Sequence, residues 1–175
     1  MPHTDDAIFT AWIRGWATTR EVAPPAAHLD GYRIDVGLPR QAARYVFSIP
    51  SPTLAELGAT IAQPWVFLKA CATSDELRAL LPARWQMQPD GFMMTCGDAP
   101  FPGSPALAPG YTLHVEDAAV ATRRAHVQVL ANDGAVAAEG HLALDERLAI
   151  YDRIGTDPAH RRRGLGVAVM HALQA

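Results

Sequence analysis

Residues 154–173 read IGTDPAHRRRGLGVAVMHAL. This stretch decides the fold, because it carries a β-strand into a helix through a turn built of arginine and glycine. The strand ends near Gly155-Thr156, and Asp157-Pro158 turns the chain, since proline fixes φ and biases the residue before it away from helical angles. Leu165, Ala168, Val169, Ala172 and Leu173 then recur at three- and four-residue spacing, one apolar stripe of a helix beginning around Leu165. Between strand and helix lies Arg161-Arg162-Arg163-Gly164-Leu165-Gly166. Glycine lets backbone approach a ligand closely and adopt angles closed to other residues. The free N–H groups of a helix start point at one anion, which the helix dipole also favours. Arginine forks beside them match oxygen-rich phosphate. The run therefore reads as a pyrophosphate cradle. It is neither a P-loop, lacking GxxxxGK[ST], nor a dinucleotide GxGxxG.

Upstream of the cradle the chain alternates as strands do. YTLHVED sets Tyr111, Leu113 and Val115 against Thr112 and His114. RRAHVQVLAND, GAVAAEGHLALD and RLAIYDRIGT follow. Asn132-Asp133-Gly134 is a tight-turn signal, because these residues tolerate positive φ, and it predicts a hairpin. Asp145-Glu146-Arg147 marks the next turn. An antiparallel meander is expected, its last strand running into the cradle.

With strand, loop and helix in this order, the run resembles the signature of the GNAT N-acetyltransferase superfamily. That signature is Gln or Arg, two variable residues, Gly, one variable residue, then Gly or Ala before a helix. Arg161, Gly164 and Gly166 match it, and Asp157-Pro158 and Arg162 look like the family's approach to it. The resemblance covers about residues 111–175. It implies a GNAT-like, mostly antiparallel sheet with a pyrophosphate-binding helix, within an α/β (mixed α+β) chain. It implies acetyl-CoA as cofactor, held by Ile154, Gly155, Thr156, Arg161, Arg162, Arg163, Gly164, Leu165, Gly166 and Val167. The family binds pyrophosphate with this loop and the pantetheine arm with the preceding strand, here Leu148 to Gly155.

The implied reaction is direct transfer of an acetyl group to a primary amine, with the carbonyl polarised by a backbone N–H around Ile154 to Thr156. A base must take the ammonium proton. Strand alternation sets Glu139 and His141 on one face, opposite Val136, Ala138, Leu142 and Leu144, and ~6.6 Å apart along the strand. They are either the base or the solvated face of the sheet. Asp152 is the second choice, on a face shared with Leu148, Ile150 and Ile154, while Tyr151 faces the other way as packing. His160 could touch phosphate or be simply exposed. The acceptor, a small-molecule or peptide amine, is not legible.

The chain departs from the family in two places. Where the family sets one or two helices between its first strands, only AAVAT intervenes here. Beyond the pyrophosphate helix the family adds further strands and often a tyrosine that protonates the departing thiolate; this sequence stops at Ala175. A fragment of a longer protein is the expected explanation. A partner chain such as a second copy, or the N-terminal half itself, could instead complete the sheet. The alternatives to an enzyme are a catalytically silent CoA-binding regulatory domain, or a structural or interaction module with the arginines as a surface patch.

The first half has another character. Ile8, Phe9, Trp12, Ile13 and Trp16 form an apolar stripe, predicting a helix from Asp5 to about Thr19. YRIDVGL and ARYVFSI read as strands. Thr53 with Glu56 and Thr73 with Glu76 read as capping boxes of two helices, the first burying Leu54, Leu57 and Ile61. WVFLKAC reads as an interior strand, and RWQM with GFMMTC as a closing strand pair. Trp12, Trp16, Tyr32, Trp65, Trp85 and Phe92 are read as core, with an apolar acceptor site as the alternative. GDAPFPGSPALAPG, with four prolines and three glycines, reads as a linker. The expected domains are 1–97, mixed α/β; 98–110, linker; and 111–175, the GNAT-like module.

Composition sets the outer limits. The chain has 175 residues, 49% hydrophobic and 19% charged, enough apolar material for a core. Fifteen basic against 18 acidic residues give a net charge of -3, which argues against a nucleic-acid footprint. No apolar run is long enough for a membrane span, and MPHTDDAIFT lacks the build of a signal peptide, so a cytoplasmic location is expected. Cys71 and Cys96 are too few for a disulfide framework or thiolate metal site and are expected to be buried. Seven histidines are scattered without HExxH or another ligand spacing, so no metal is expected.

Overall fold

The computed structural model describes residues 5–97, 103, 106–116, 123–146 and 148–174. The chain divides into two units, Met1–Thr95 and Cys96–Ala175. Most of the expected linker, residues 98–102, 104 and 105, lies outside the described residues, as does AAVAT. Among the described residues the architecture is mixed α+β, with two four-stranded sheets and four α-helices. No helix among them is long and apolar enough to cross a membrane.

In the first unit, helix α1 (Asp6–Thr19) starts where the Asp5 carboxylate accepts from the N–H groups of Ala7 and Ile8 at 2.8 and 3.3 Å. Its stripe of Phe9, Ile13 and Trp16 buries against Ile34, Val36 and Val46. Those residues come from β2 (Gly31–Leu38) and β3 (Gln41–Phe47), which pair antiparallel beside the short β1 (Ala26–His28). Helix α2 (Pro52–Thr60) then carries the chain over to β4 (Val66–Ala70), parallel to β3, and α3 (Ser74–Leu80) follows. The crossover is what the parallel pairing requires.

Five expectations for this half are corrected. Trp65 and Phe92, read as core, are 51% and 85% exposed. The cap of α2 is Ser51, whose hydroxyl accepts from Leu54 N–H, with Pro52 opening the helix. Thr53 instead hydrogen-bonds Asp30. WVFLKAC forms an edge strand rather than an interior one. RWQM and GFMMTC form no strand pair. Arg84 donates to the carbonyls of Gly58 and Ala59 at 2.6 and 2.7 Å, and Trp85 Nε1 to Gly58 at 2.8 Å. These bonds satisfy carbonyls that the end of α2 leaves orphaned, a use for Arg and Trp that competes with strand formation. Cys71 and Cys96 are exposed free thiols, not buried ones. The Thr73–Glu76 capping box forms as read.

The second unit is an antiparallel meander of β5 (Tyr111–Glu116), β6 (Arg124–Ala131), β7 (Val136–Asp145) and β8 (Leu148–Thr156), in sequence order. The Asn132-Asp133-Gly134 turn joins β6 to β7, closed by Gly134 N–H on the Ala131 carbonyl at 2.9 Å. A 3-10 turn (Pro158–His160) leads to α4 (Leu165–Gln174). Val127, Val129, Ala138 and Leu142 meet Leu165, Val169 and Leu173 of α4 in one core. Gly140 makes this close seating possible, because a Cβ there would lie 2.7 Å from Val169 Cγ1.

Candidate functional site

The strand–turn–helix joint is assembled by small, specific devices. Asp157 accepts from Ala159 N–H at 2.8 Å and starts the 3-10 turn. Arg162 and Gly164 then take left-handed backbone angles, φ +64° and +74°, which reverse the chain into α4. Ala168 N–H donates to the Gly164 carbonyl at 3.0 Å, so Gly164 occupies the capping position without a side chain to fill it. The first N–H groups of α4 are therefore available to an outside acceptor. A Cβ at Gly164 would meet nothing within 4 Å, whereas one at Gly166 would meet Thr156 Oγ1 at 3.3 Å. Gly164 leaves open space in front of the helix, and Gly166 lets the helix seat against the strand end.

These residues surround an open cleft of about 860 Å³. Ile154, Gly155, Thr156, Arg161, Arg162, Gly164, Leu165, Gly166 and Val167 all line it. Met170 and His171 line it too; the sequence reading missed them, since helix periodicity alone does not show which flank of α4 meets a cleft. Arg163 is drawn elsewhere: its guanidinium donates to Tyr111 Oη at 2.7 Å and lies over that ring. The phenol oxygen is in turn 2.9 Å from His160 Nδ1, so His160 is engaged with β5. The Arg163–Tyr111–His160 chain pins the loop to the far edge of the sheet. β8 is the other edge strand, pairing among the described residues only with β7.

The candidate bases lie on the sheet face away from α4. Cross-strand register aligns Glu116, His126, His141 and Asp152 in one row, with Gln128, Glu139 and Gly155 in the next. Glu139 thus sits directly across from Gly155, a wall of the cleft. The register of β7 with β8 slips by one residue between these rows, and Arg153 there has φ +53°. This bulge corrects the expected alternation. Ile154 does not share Asp152's face but turns toward α4, where its Cδ1 crowds Gly140. Tyr151 packs on the α4 core as expected.

His126 and His141 stack face to face, ring centroids 4.1 Å apart and planes 4° from parallel. Burial pushes the His141 imidazole down to about 4, with Arg153 and His126 adding to the effect against Glu139 and Asp152. Asp152 is held by Arg153 at 3.3 Å. His126, Glu139 and His141 each bring one ligand atom within 4.8 Å of the others. No ligand spacing showed this in the sequence, because the cluster arises from pairing two strands. Comparison with protein-family models, curated proteins and solved structures found no match to this chain.

Proposed function

We propose that this chain binds acetyl-CoA at the β8–α4 joint and transfers its acetyl group directly to a primary amine, in the manner of a GNAT N-acetyltransferase. The observation that carries the reading is the cleft itself. The signature residues Arg161, Gly164 and Gly166 line it together with the open edge of β8 and the uncapped start of α4.

Each part has a physical task. The N–H groups opening α4 and the guanidinium groups of Arg161 and Arg162 suit a pyrophosphate. Backbone groups on the edge of β8 away from β7 suit the amide-bearing arm, by the logic of strand addition. The bound thioester supplies an activated acetyl carbon and, in CoA thiolate, a leaving group. A backbone N–H at Ile154 to Thr156 polarises the carbonyl, and the bulge at Arg153 re-aims the strand there, as bulges beside active sites do. Glu139 is the base we favour, being across from Gly155 and half exposed. His141, with its lowered basicity, is a weaker proton acceptor, and Asp152 is committed to Arg153.

The test is calorimetric titration with acetyl-CoA, comparing Gly164→Ala with Gly134→Ala. Both glycines have positive φ, +74° and +83°, and at both an added Cβ meets nothing within 4 Å. The two variants therefore carry the same backbone strain, about 1–2 kcal/mol. Only Gly164 lines the cleft. Micromolar binding that Gly164→Ala weakens at least about tenfold, and Gly134→Ala leaves alone, supports the reading. Equal affinities in the two variants, or no binding by the folded chain, would remove it.

A further inference from the structure

On the sheet face opposite α4, two hydrogen-bond acceptors confront each other. His126 Nδ1 lies 3.1 Å from Glu116 Oε2. A carboxylate can only accept, so Nδ1 carries the proton and a neutral ring presents a lone pair at Nε2. That Nε2 is buried, has no hydrogen-bond partner among the described residues, and stands 3.5 Å from Glu139 Oε2, another acceptor. A cation between them relieves the clash. His141, stacked on His126, adds a third donor atom to the same small space.

We propose that His126, Glu139 and His141 bind a divalent transition-metal ion of the zinc class. Two imidazoles and one carboxylate suit zinc and its neighbours; magnesium and calcium select oxygen-only sets. Glu116 is the outer carboxylate that orients a ligating histidine through its second nitrogen. Metal–nitrogen bonds are about 2.0–2.1 Å and lie in the ring plane, so the parallel rings must turn out of their stack on loading. The second side-chain torsion of histidine is broad enough for this, and the half-exposed Glu139 has room to follow. A proton on His126 is the competing cation. It bridges Glu116 and Glu139 without any role for His141, and that difference separates the two.

One consequence rests on the acetyl-transfer reading. An ion that engages Glu139 and His141 withholds both from proton transfer, so loading suppresses turnover. The binding test below does not depend on it.

The chelator-treated chain is titrated with Co(II) alone and then Zn(II) alone. The expected result is one equivalent of cobalt giving a visible d–d spectrum, abolished by one equivalent of zinc. His126→Asn and His141→Asn should each weaken zinc at least about tenfold, and Glu116→Gln by about 10-fold, the scale of lost outer-shell partners. His28→Asn, in the first unit, should leave affinity unchanged. Far-UV circular dichroism checks that each variant folds. Should a variant unfold, the native chain still decides: zinc must shift the imidazole NMR signals of His126 and His141. No stoichiometric binding, full affinity in His141→Asn, or zinc-induced shifts confined to other histidines would overturn the site.

Discussion

Replacing Gly140 by alanine probes the seat of α4, and with it the aim of the helix start at the cleft. In an ordinary strand the change would be favourable, because glycine costs about 0.5–1 kcal/mol relative to alanine. Here the new Cβ runs into Ile154 Cδ1 and lies 2.7 Å from Val169 Cγ1 and 3.2 Å from Leu173 Cδ1. Normal carbon contacts are about 3.5–4.0 Å. Ile154 is 37% exposed, so its terminal methyl can swing outward. Val169 is fully buried, and its branched side chain holds one strongly preferred rotamer in a helix. The helix must therefore lift by roughly 1 Å at Val169, the gap between that approach and a normal contact. Overpacking of this kind costs about 1–3 kcal/mol, which after the glycine gain leaves a net loss centred on about 1 kcal/mol and no more than about 2.5 kcal/mol.

The assay for this loss is native-state hydrogen exchange at Val127, Val129 and Leu142. Tryptophan fluorescence would miss the effect, since Trp12, Trp16, Trp65 and Trp85 all belong to the first unit. Adding Val169→Ala removes the methyl that clashes. The double variant should be less destabilised than the sum of its parts by about 1 kcal/mol. Unchanged protection in Gly140→Ala, or strict additivity with Val169→Ala, would refute the close seating of helix on strand.

Three further outcomes are expected. Arg162 has φ +64°, so Arg162→Gly should raise the stability of the second unit by about 1 kcal/mol by relieving left-handed strain. The same variant should weaken acetyl-CoA binding, with the difference from wild type shrinking as salt rises; calorimetry at two ionic strengths checks it. In the metal-free chain, His141 contributes no pH dependence above 6.5, where the ring is neutral both folded and unfolded. Between 6.5 and about 4 the unfolded chain takes up a proton that the folded ring refuses, so stability falls as pH falls through that window. Exchange protection across that range should flatten in His141→Asn, and an unaltered slope would exclude His141 as its source.

Local patterns were legible wherever one element's own residues carried the information. The stripe of α1, the Thr73–Glu76 box, the Asn132–Gly134 turn and the face of α4 are all short-range, and each formed close to where the residues indicate. Errors arose where a partner distant in sequence competed for a side chain. Thr53 went to Asp30 rather than to a helix cap, and Arg84 and Trp85 went to the end of α2 rather than to a strand. At Arg153 a single extra residue reversed the face of Ile154, because the side-chain period of a strand is two and one slip inverts it.

By itself, then, the sequence determined a strand–turn–helix with glycines and arginines at its joint, and a meander leading into it. Those features follow from backbone angles and periodicity, which act over a few residues. Only the tertiary structure decided which arginines line the cleft and which one is pinned to Tyr111. It alone brought His126 against Glu139 and His141, thirteen and fifteen residues further along the chain. Strand pairing sets those neighbours through register, and register depends on turns, bulges and the burial of a whole face at once.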